Sequence, residues 1–354
     1  MSSKRIILPV VITFIIICIL ILNYISSNHG RDKVAEEERT SMKVGVSIYN
    51  QYDTFISSLM DNFKEEAKRM EQERGITITL DIVNAGGSQV SQNYQIEEFI
   101  NGGYDLLCIN LVDRTDASTA IDMAMHAGIP VIFFNRELVE KDLKRWDQLF
   151  YVGAVALESG IMQGEIVVEA CEKNFDRIDK NGDGVLQYVI LEGEAGHQDS
   201  SIRTEYVLKT ITEAGISVEK LGDEIANWNR AQGETRMSQW LKTYEDEIEI
   251  VIANNDDMAL GAVDAMKKEN IAYKPVVVGI DGTQVGLEAV KNGDMIGTVL
   301  NDGRGQAEGM IELAYSIVFR KELVDTIELI DQKYIRKPHI KVTSENIDKI
   351  LEEK

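Results

Sequence analysis

Side chains that hydrogen-bond well but catalyse poorly recur along this chain wherever a short β-type run ends. Residues 44–49 end in Tyr49 and run into Asn50, Gln51, Tyr52, Asp53 and Phe55. Residues 106–109 stop at Asn110, and residues 248–253 at Asn254, Asn255 and Asp256. Residues 276–280 stop at Asp281, and residues 296–300 at Asn301 and Asp302. Any one such Asn or Asp reads as a helix cap. As a set, drawn from both halves of the chain, capping is the weaker account. Amides and carboxylates donate to and accept from hydroxyl groups, so the set suits a small ligand with many hydroxyls. Phe55 and Trp228 add flat apolar faces that fit the C–H face of a sugar ring, although either alone reads first as core.

Reactive patterns are missing. The chain has no GxSxG, HExxH or P-loop sequence. His197 and Asp199 follow a glycine-rich turn, Gly193-Glu194-Ala195-Gly196, but no nucleophile pattern accompanies them. Binding is the better reading, and an enzyme is not expected. Cys18, Cys108 and Cys171 lie far apart, with neither a disulfide framework nor a zinc-ligand spacing.

One segment has the chemistry of a cation site. Asp179, Asn181, Asp183 and Gln187 fall at positions one, three, five and nine of an EF-hand loop. Gly184 takes the sharp turn at position six, and Val185 supplies the carbonyl of position seven. Position twelve, usually a bidentate Glu, is Ile190. Calcium here needs a carboxylate from elsewhere in the chain, which makes the expected role structural. An acidic glycine turn is the plainer alternative. A β-type run follows Gln187 where a sensor would have a helix, so a calmodulin-like role is disfavoured.

These residues need a scaffold, and the pattern supplies one. From Lys43 onward, β-type runs alternate with amphipathic helical runs, the signature of parallel sheets flanked by helices. The 354 residues fit about two such domains. With 37 Lys and Arg against 59 Asp and Glu, the net charge of −22 argues against a nucleic-acid partner. Lys4 and Arg5 precede an apolar run over residues 6–22. It reads as an uncleaved membrane anchor, or else a cleaved signal peptide, with the rest of the chain outside the cytoplasm. Residues 26–41 read as a charged tether.

The order of these motifs resembles the galactose/glucose-binding branch of the type I periplasmic binding proteins. An EF-like nonapeptide enters a strand, then come Gly193-Glu194-x-Gly196-His197-x-Asp199, Trp228 and Val251-Ile252-Ala253-Asn254-Asn255-Asp256. Ser47-Ile48-Tyr49, Phe133-Phe134-Asn135, Tyr151-Val152-Gly153 and residues 297–302 fit as well, so the likeness runs from Lys43 to the C-terminus.

The resemblance implies an α/β fold of two Rossmann-like lobes joined by three crossings. The lobes would comprise residues 42–136 with 303–336, and 137–302 with 337–354, after a segment 1–25 and a tether 26–41. It implies a galactose or glucose ligand held by Asp53, Phe55 and Asn110 from the first lobe. His197, Asp199, Arg203, Trp228, Asn255 and Asp281 would come from the second, with Asn301 at the lobe boundary. Structural Ca2+ would be bound by Asp179, Asn181, Asp183, the Val185 carbonyl, Gln187 and Glu249, the last filling the gap at position twelve. The implied partner of a monomer is the permease of an ABC importer, or alternatively a chemoreceptor or sensor kinase. Asn50 and Gln51 depart from the family's pattern before Tyr52, as does the anchor-like N-terminus.

Overall fold

Short runs such as Leu-Leu-Cys-Ile and Ile-Val-Ile-Ala have no polar face, so they form stable strands only where helices cover both sides of a sheet. The computed structural model, which describes residues 39–271 and 273–353, places them there. The expected membrane segment, and the tether up to residue 38, lie outside the described residues. Among the described residues no helix is long and apolar enough to cross a membrane.

Twelve strands are present among the described residues. They are β1 (Ser41–Ile48), β2 (Thr77–Asn84), β3 (Leu106–Ile109), β4 (Val131–Phe134), β5 (Leu149–Gly153), β6 (Leu186–Glu192), β7 (Val218–Ile225), β8 (Ile250–Ala253), β9 (Val276–Val278), β10 (Gly297–Asn301), β11 (Tyr334–Arg336) and β12 (His339–Thr343). They form two six-stranded sheets, ordered β2-β1-β3-β4-β5-β11 and β7-β6-β8-β9-β10-β12. The pairs β1–β3, β3–β4, β4–β5 and β5–β11 are parallel. In the second sheet β12 runs antiparallel to β10. The central strands β3, β4 and β8 are buried throughout, whereas the edge strand β7 is largely exposed and polar.

The two orders share one logic. The chain leaves β1 for β2 on one side and then returns to β3 on the other, and β6, β7 and β8 repeat this. Each reversal opens a crevice beyond the carboxyl ends of the strands, where ligands of open α/β sheets bind.

The chain passes between the sheets after β5, after β10 and between β11 and β12. The first passage corrects the expected boundary at residue 137. β5 pairs with β4 from Val131↔Leu149 to Phe134↔Val152, so residues 149–153 belong to the first lobe. Sequence reading passed over β5, β7, β11 and β12, and the helices Ala156–Ile178 and Gly303–Phe319. The two helices carry the crossings: Gly303–Phe319 packs on Thr54–Arg74 of the first lobe, and Ala156–Ile178 on Gln198–Glu213 of the second.

Candidate functional site

The first lobe builds its share of the site at the end of β1. Asp53 caps the helix Thr54–Arg74 by accepting from the Ile56 N–H at 2.9 Å. Its other oxygen accepts from the Tyr49 hydroxyl at 2.5 Å. Burial, reinforced by Asp53, pushes the Tyr49 phenol well above its usual range, so the hydroxyl stays protonated and keeps donating. The Arg136 guanidinium lies over the Tyr49 ring, 3.6 Å from its centroid. Phe55, in the first turn of the helix, is buried and lines the same cleft.

The second lobe builds its share where β6, β8 and β9 end. His197 caps the helix Gln198–Glu213, its Nδ1 accepting from the Asp199 N–H at 3.1 Å. That bond leaves the ring proton on Nε2, an available donor. Burial, with Arg136 and Arg203, pushes the His197 pKa down to about 2, so the ring is neutral. Arg203, four residues after Asp199, donates to the Asn254 carbonyl at 2.8 Å. It lies 3.8 Å from carboxylate oxygens of both Asp199 and Asp281. Burial raises both acids while Arg203 pulls them down. A buried guanidinium beside two acidic side chains in the cleft lining fits the hydroxyls of a neutral ligand better than an anion.

Trp228 supplies the large ring of the second lobe. It is 9% exposed, and His197 meets it edge-on with centroids 5.1 Å apart. Gly193 lets the ring seat: a Cβ there would lie 2.1 Å from it. Asn255 caps the helix Asp256–Lys268 through Met258 N–H and donates to the Trp228 carbonyl, so it fixes the ring's backbone. Three cleft residues adopt left-handed backbone, Asn135 (φ 60°), Trp228 (φ 59°) and Asp281 (φ 114°). Such strain in side-chain-bearing residues concentrates at functional sites.

Asp53, Phe55, His197, Asp199, Arg203, Trp228, Asn255 and Asp281 thus line one cleft between the lobes. Asn301 lines an adjoining compartment on the hinge side. Asn110 is placed differently. It is fully buried, and its amide is spent on Phe134 O, Asn135 Oδ1 and Tyr49 N–H. It positions Asn135 and the end of β1 from behind the cleft wall.

Sequence reasoning included Tyr49 among the polar strand ends but missed Asn135 and Arg136 as cleft residues. The signal was available at the end of β4, where Asn135-Arg136 stands as Asn110 stands after β3. Arg136 also crosses the cleft, donating to Glu194 of the second lobe at 2.6 Å. A second direct tie joins the lobes, from Thr54 Oγ1 to Asp257 Oδ2 at 2.6 Å.

The EF-like loop joins a helix to a strand, between Ile178 and Leu186. Gly182 (φ 71°) and Gly184 (φ 79°) take its left-handed turns. Asp179 accepts from the N–H groups of Gly182 and Gly184 at 2.8 and 2.9 Å. Asp183 accepts from Val185 N–H at 2.8 Å and from the side-chain amides of Asn181 and Gln187 at 3.0 Å each. Glu249, almost completely buried, reaches in from beside β8 and accepts from the N–H groups of Lys180 at 2.5 Å and Gln187 at 3.1 Å. The side chains of Asp179, Asn181, Asp183, Gln187 and Glu249 are thus joined in one hydrogen-bonded loop region. Among the described residues, however, no three His, Cys, Asp or Glu side chains converge as a ready-made metal cage.

The Periplasmic binding protein domain family matches residues 44–322. The chain is 32% identical over 311 residues to the D-galactose/methyl-galactoside binding periplasmic protein of Haemophilus influenzae, spanning 87% of this chain and 92% of that one. It is 29% identical over 311 residues to the xylitol-binding protein of Mycolicibacterium smegmatis, spanning 88% and 79% respectively. Among solved structures, an ABC transporter solute-binding protein from Bacillus halodurans with bound myo-inositol matches with a TM-score of 0.74 and 29% identity, over 90% of this chain and 100% of that one. With two doubly wound lobes and a polar cleft between them, the chain belongs to the type I periplasmic binding proteins, a family of binding proteins and not of enzymes.

Proposed function

We propose that this protein captures a monosaccharide outside the cytoplasm and delivers it, lobes closed, to the permease of an ABC importer. The observation that carries the reading is Arg203 set between Asp199 and Asp281 in a cleft that also contains Phe55 and Trp228. Carboxylates, an imidazole N–H and a guanidinium grip hydroxyls at the edge of a ring, while the aromatic side chains cover its apolar faces. Sugar bound this way favours the closed state because only that state brings both half-sites together. The named relatives that bind galactosides, xylitol and myo-inositol all take polyhydroxylated ligands.

A hexose of the galactose or glucose type is the ligand we favour. The residue types at the cleft positions and the galactoside-binding relative support it. Calorimetric titration of residues 42–354 with D-galactose and D-glucose tests this. One tight site for either sugar is expected. No binding of either would reject the hexose assignment and call for pentoses and cyclitols.

The EF-like loop is proposed as a structural calcium site. Asp179, Asn181, Asp183, Gln187, the Val185 carbonyl and Glu249 would hold the ion. Calcium would cross-link the start of β6 to the strand beside it. The side-chain amides of Asn181 and Gln187 now donate to acceptors within the loop, so binding requires them to turn their oxygens inward.

A further inference from the structure

On the hinge side the cleft continues into a small compartment with room for about one oxygen atom. It shares Asn135, Asp199 and Arg203 with the main cleft and adds Asn301, Gln306 and His339. Three buried polar atoms of its lining residues have no hydrogen-bond partner: Arg203 Nε, Gln306 Oε1 and His339 Nε2. Such orphans are uncommon, because each loses its hydration without compensation.

The neighbours define what each orphan offers. Gln306 Nε2 donates to Asn301 Oδ1 at 2.6 Å, which leaves the amide oxygen free. His339 Nδ1 faces a Glu158 carboxylate oxygen at 3.4 Å. A carboxylate only accepts, so the ring proton is on Nδ1 and Nε2 presents a lone pair. Burial, then Arg203, pushes the His339 pKa down to about 3, which keeps that lone pair available. The compartment therefore offers one donor and two acceptors. An anion would meet the two lone pairs, a cation the Arg203 guanidinium, and a methyl group would leave all three atoms unpaired. A hydroxyl oxygen fits, accepting from Arg203 and donating to Gln306 or His339.

We propose that Arg203, Gln306 and His339 form a subsite for one hydroxyl oxygen, and that it reads the ligand edge that faces Asp199 and Arg203. The proposal rests on the sugar reading above and extends it to a specificity determinant. Gln306 stands on the helix that packs against the first lobe, whereas Arg203 and His339 belong to the second. An oxygen seated among them therefore lies at a crossing between the lobes. Either a ligand hydroxyl or a water can supply that oxygen, but only water can donate to both acceptors at once.

The test is calorimetry of the wild-type protein, His339→Leu and His339→Gln with the preferred sugar and its monodeoxy analogues. His339→Leu should weaken binding of the parent sugar about tenfold. His339→Gln, which retains an acceptor, should recover most of the loss. The penalty should vanish for one monodeoxy analogue, the one lacking the hydroxyl that enters the subsite. An equal penalty for every analogue would assign the oxygen to a fixed water and overturn the ligand-reading role. Wild-type affinity of His339→Leu for every sugar would overturn the subsite itself. Failure of the sugar reading is distinguishable, because it appears in the wild-type titration before any variant is compared.

Discussion

Arg136, in the loop after β4, donates to Glu194, in the loop after β6, at 2.6 Å, and so ties one lobe directly to the other. The Arg136 side chain is 4% exposed and that of Glu194 is 43% exposed. The pair lies partly in solvent, which limits its strength. Its value is that it exists only when the lobes are together, so it biases closure without touching the ligand. Glu194→Gln should therefore weaken sugar binding by about 3- to 10-fold while leaving the melting temperature of the ligand-free protein nearly unchanged. Titration and thermal denaturation check this, and an unaltered dissociation constant would show that the tie contributes nothing to closure.

Trp228 and Gly193 form a matched pair. A Cβ on Gly193 would overlap the indole, and the ring would have to leave its seat. Gly193→Ala should weaken binding about tenfold or more through displacement of the ring alone, and Trp228→Ala about a hundredfold or more. Circular dichroism establishes that each variant is folded. Equal affinity in the Trp228→Ala protein would end the stacking assignment.

His197 is kept neutral at every ordinary pH, its pKa pushed down to about 2. Sugar affinity should consequently show no inflection at the usual histidine value between pH 5.5 and 8. A step near pH 6.5 that disappears in His197→Gln would contradict the neutral ring.

Asp256 sits directly behind the cleft, fully buried, and accepts from Thr283 N–H, Thr283 Oγ1 and Thr298 Oγ1. Burial pushes its pKa up to about 7 from the ordinary 3.8. The folded protein thus binds a proton more tightly than the unfolded chain does. The sign follows by linkage: the stability from this group is complete below about pH 4 and is lost as pH rises through about 7. Thermal melts from pH 5 to 8 should show that decline, and Asp256→Asn should flatten it. An identical slope in the variant would place the titration elsewhere.

Calcium should raise the melting temperature of the wild-type protein, and chelation should lower it. Glu249→Gln should remove most of the response without altering the sugar-binding stoichiometry. A melting curve indifferent to calcium and chelator would leave the segment a glycine turn held by its own hydrogen bonds.

The alternation of strands and helices was legible because β3, β4 and β8 are unbroken apolar runs and the intervening helices have clear apolar faces. β7 was not, because Val-Glu-Lys-Leu-Gly-Asp-Glu-Ile lies at a sheet edge and is held mainly by backbone bonds to β6. β5 was not, because its place depends on pairing with β4 and β11, strands on either side of it in the sheet but distant in sequence for β11.

The cleft residues divide along the same line. Asp53, His197, Asn255 and Asp281 follow strand ends, and a strand end followed by Asp, Asn or His is visible in one dimension. The nine-residue spacing from Asp179 to Gln187 is equally local. What the sequence by itself determined was therefore the residue types, their positions after strands and the alternating α/β scaffold. Only the tertiary structure decided that Asn110 lies behind the wall while Asn135 and Arg136 face the cleft. It also decided that Arg136 reaches Glu194 and that Gln306 shares a compartment with His339. The physical reason is that burial and side-chain pairing depend on which strands become neighbours, and here that order is set by long-range closure of two sheets and three crossings.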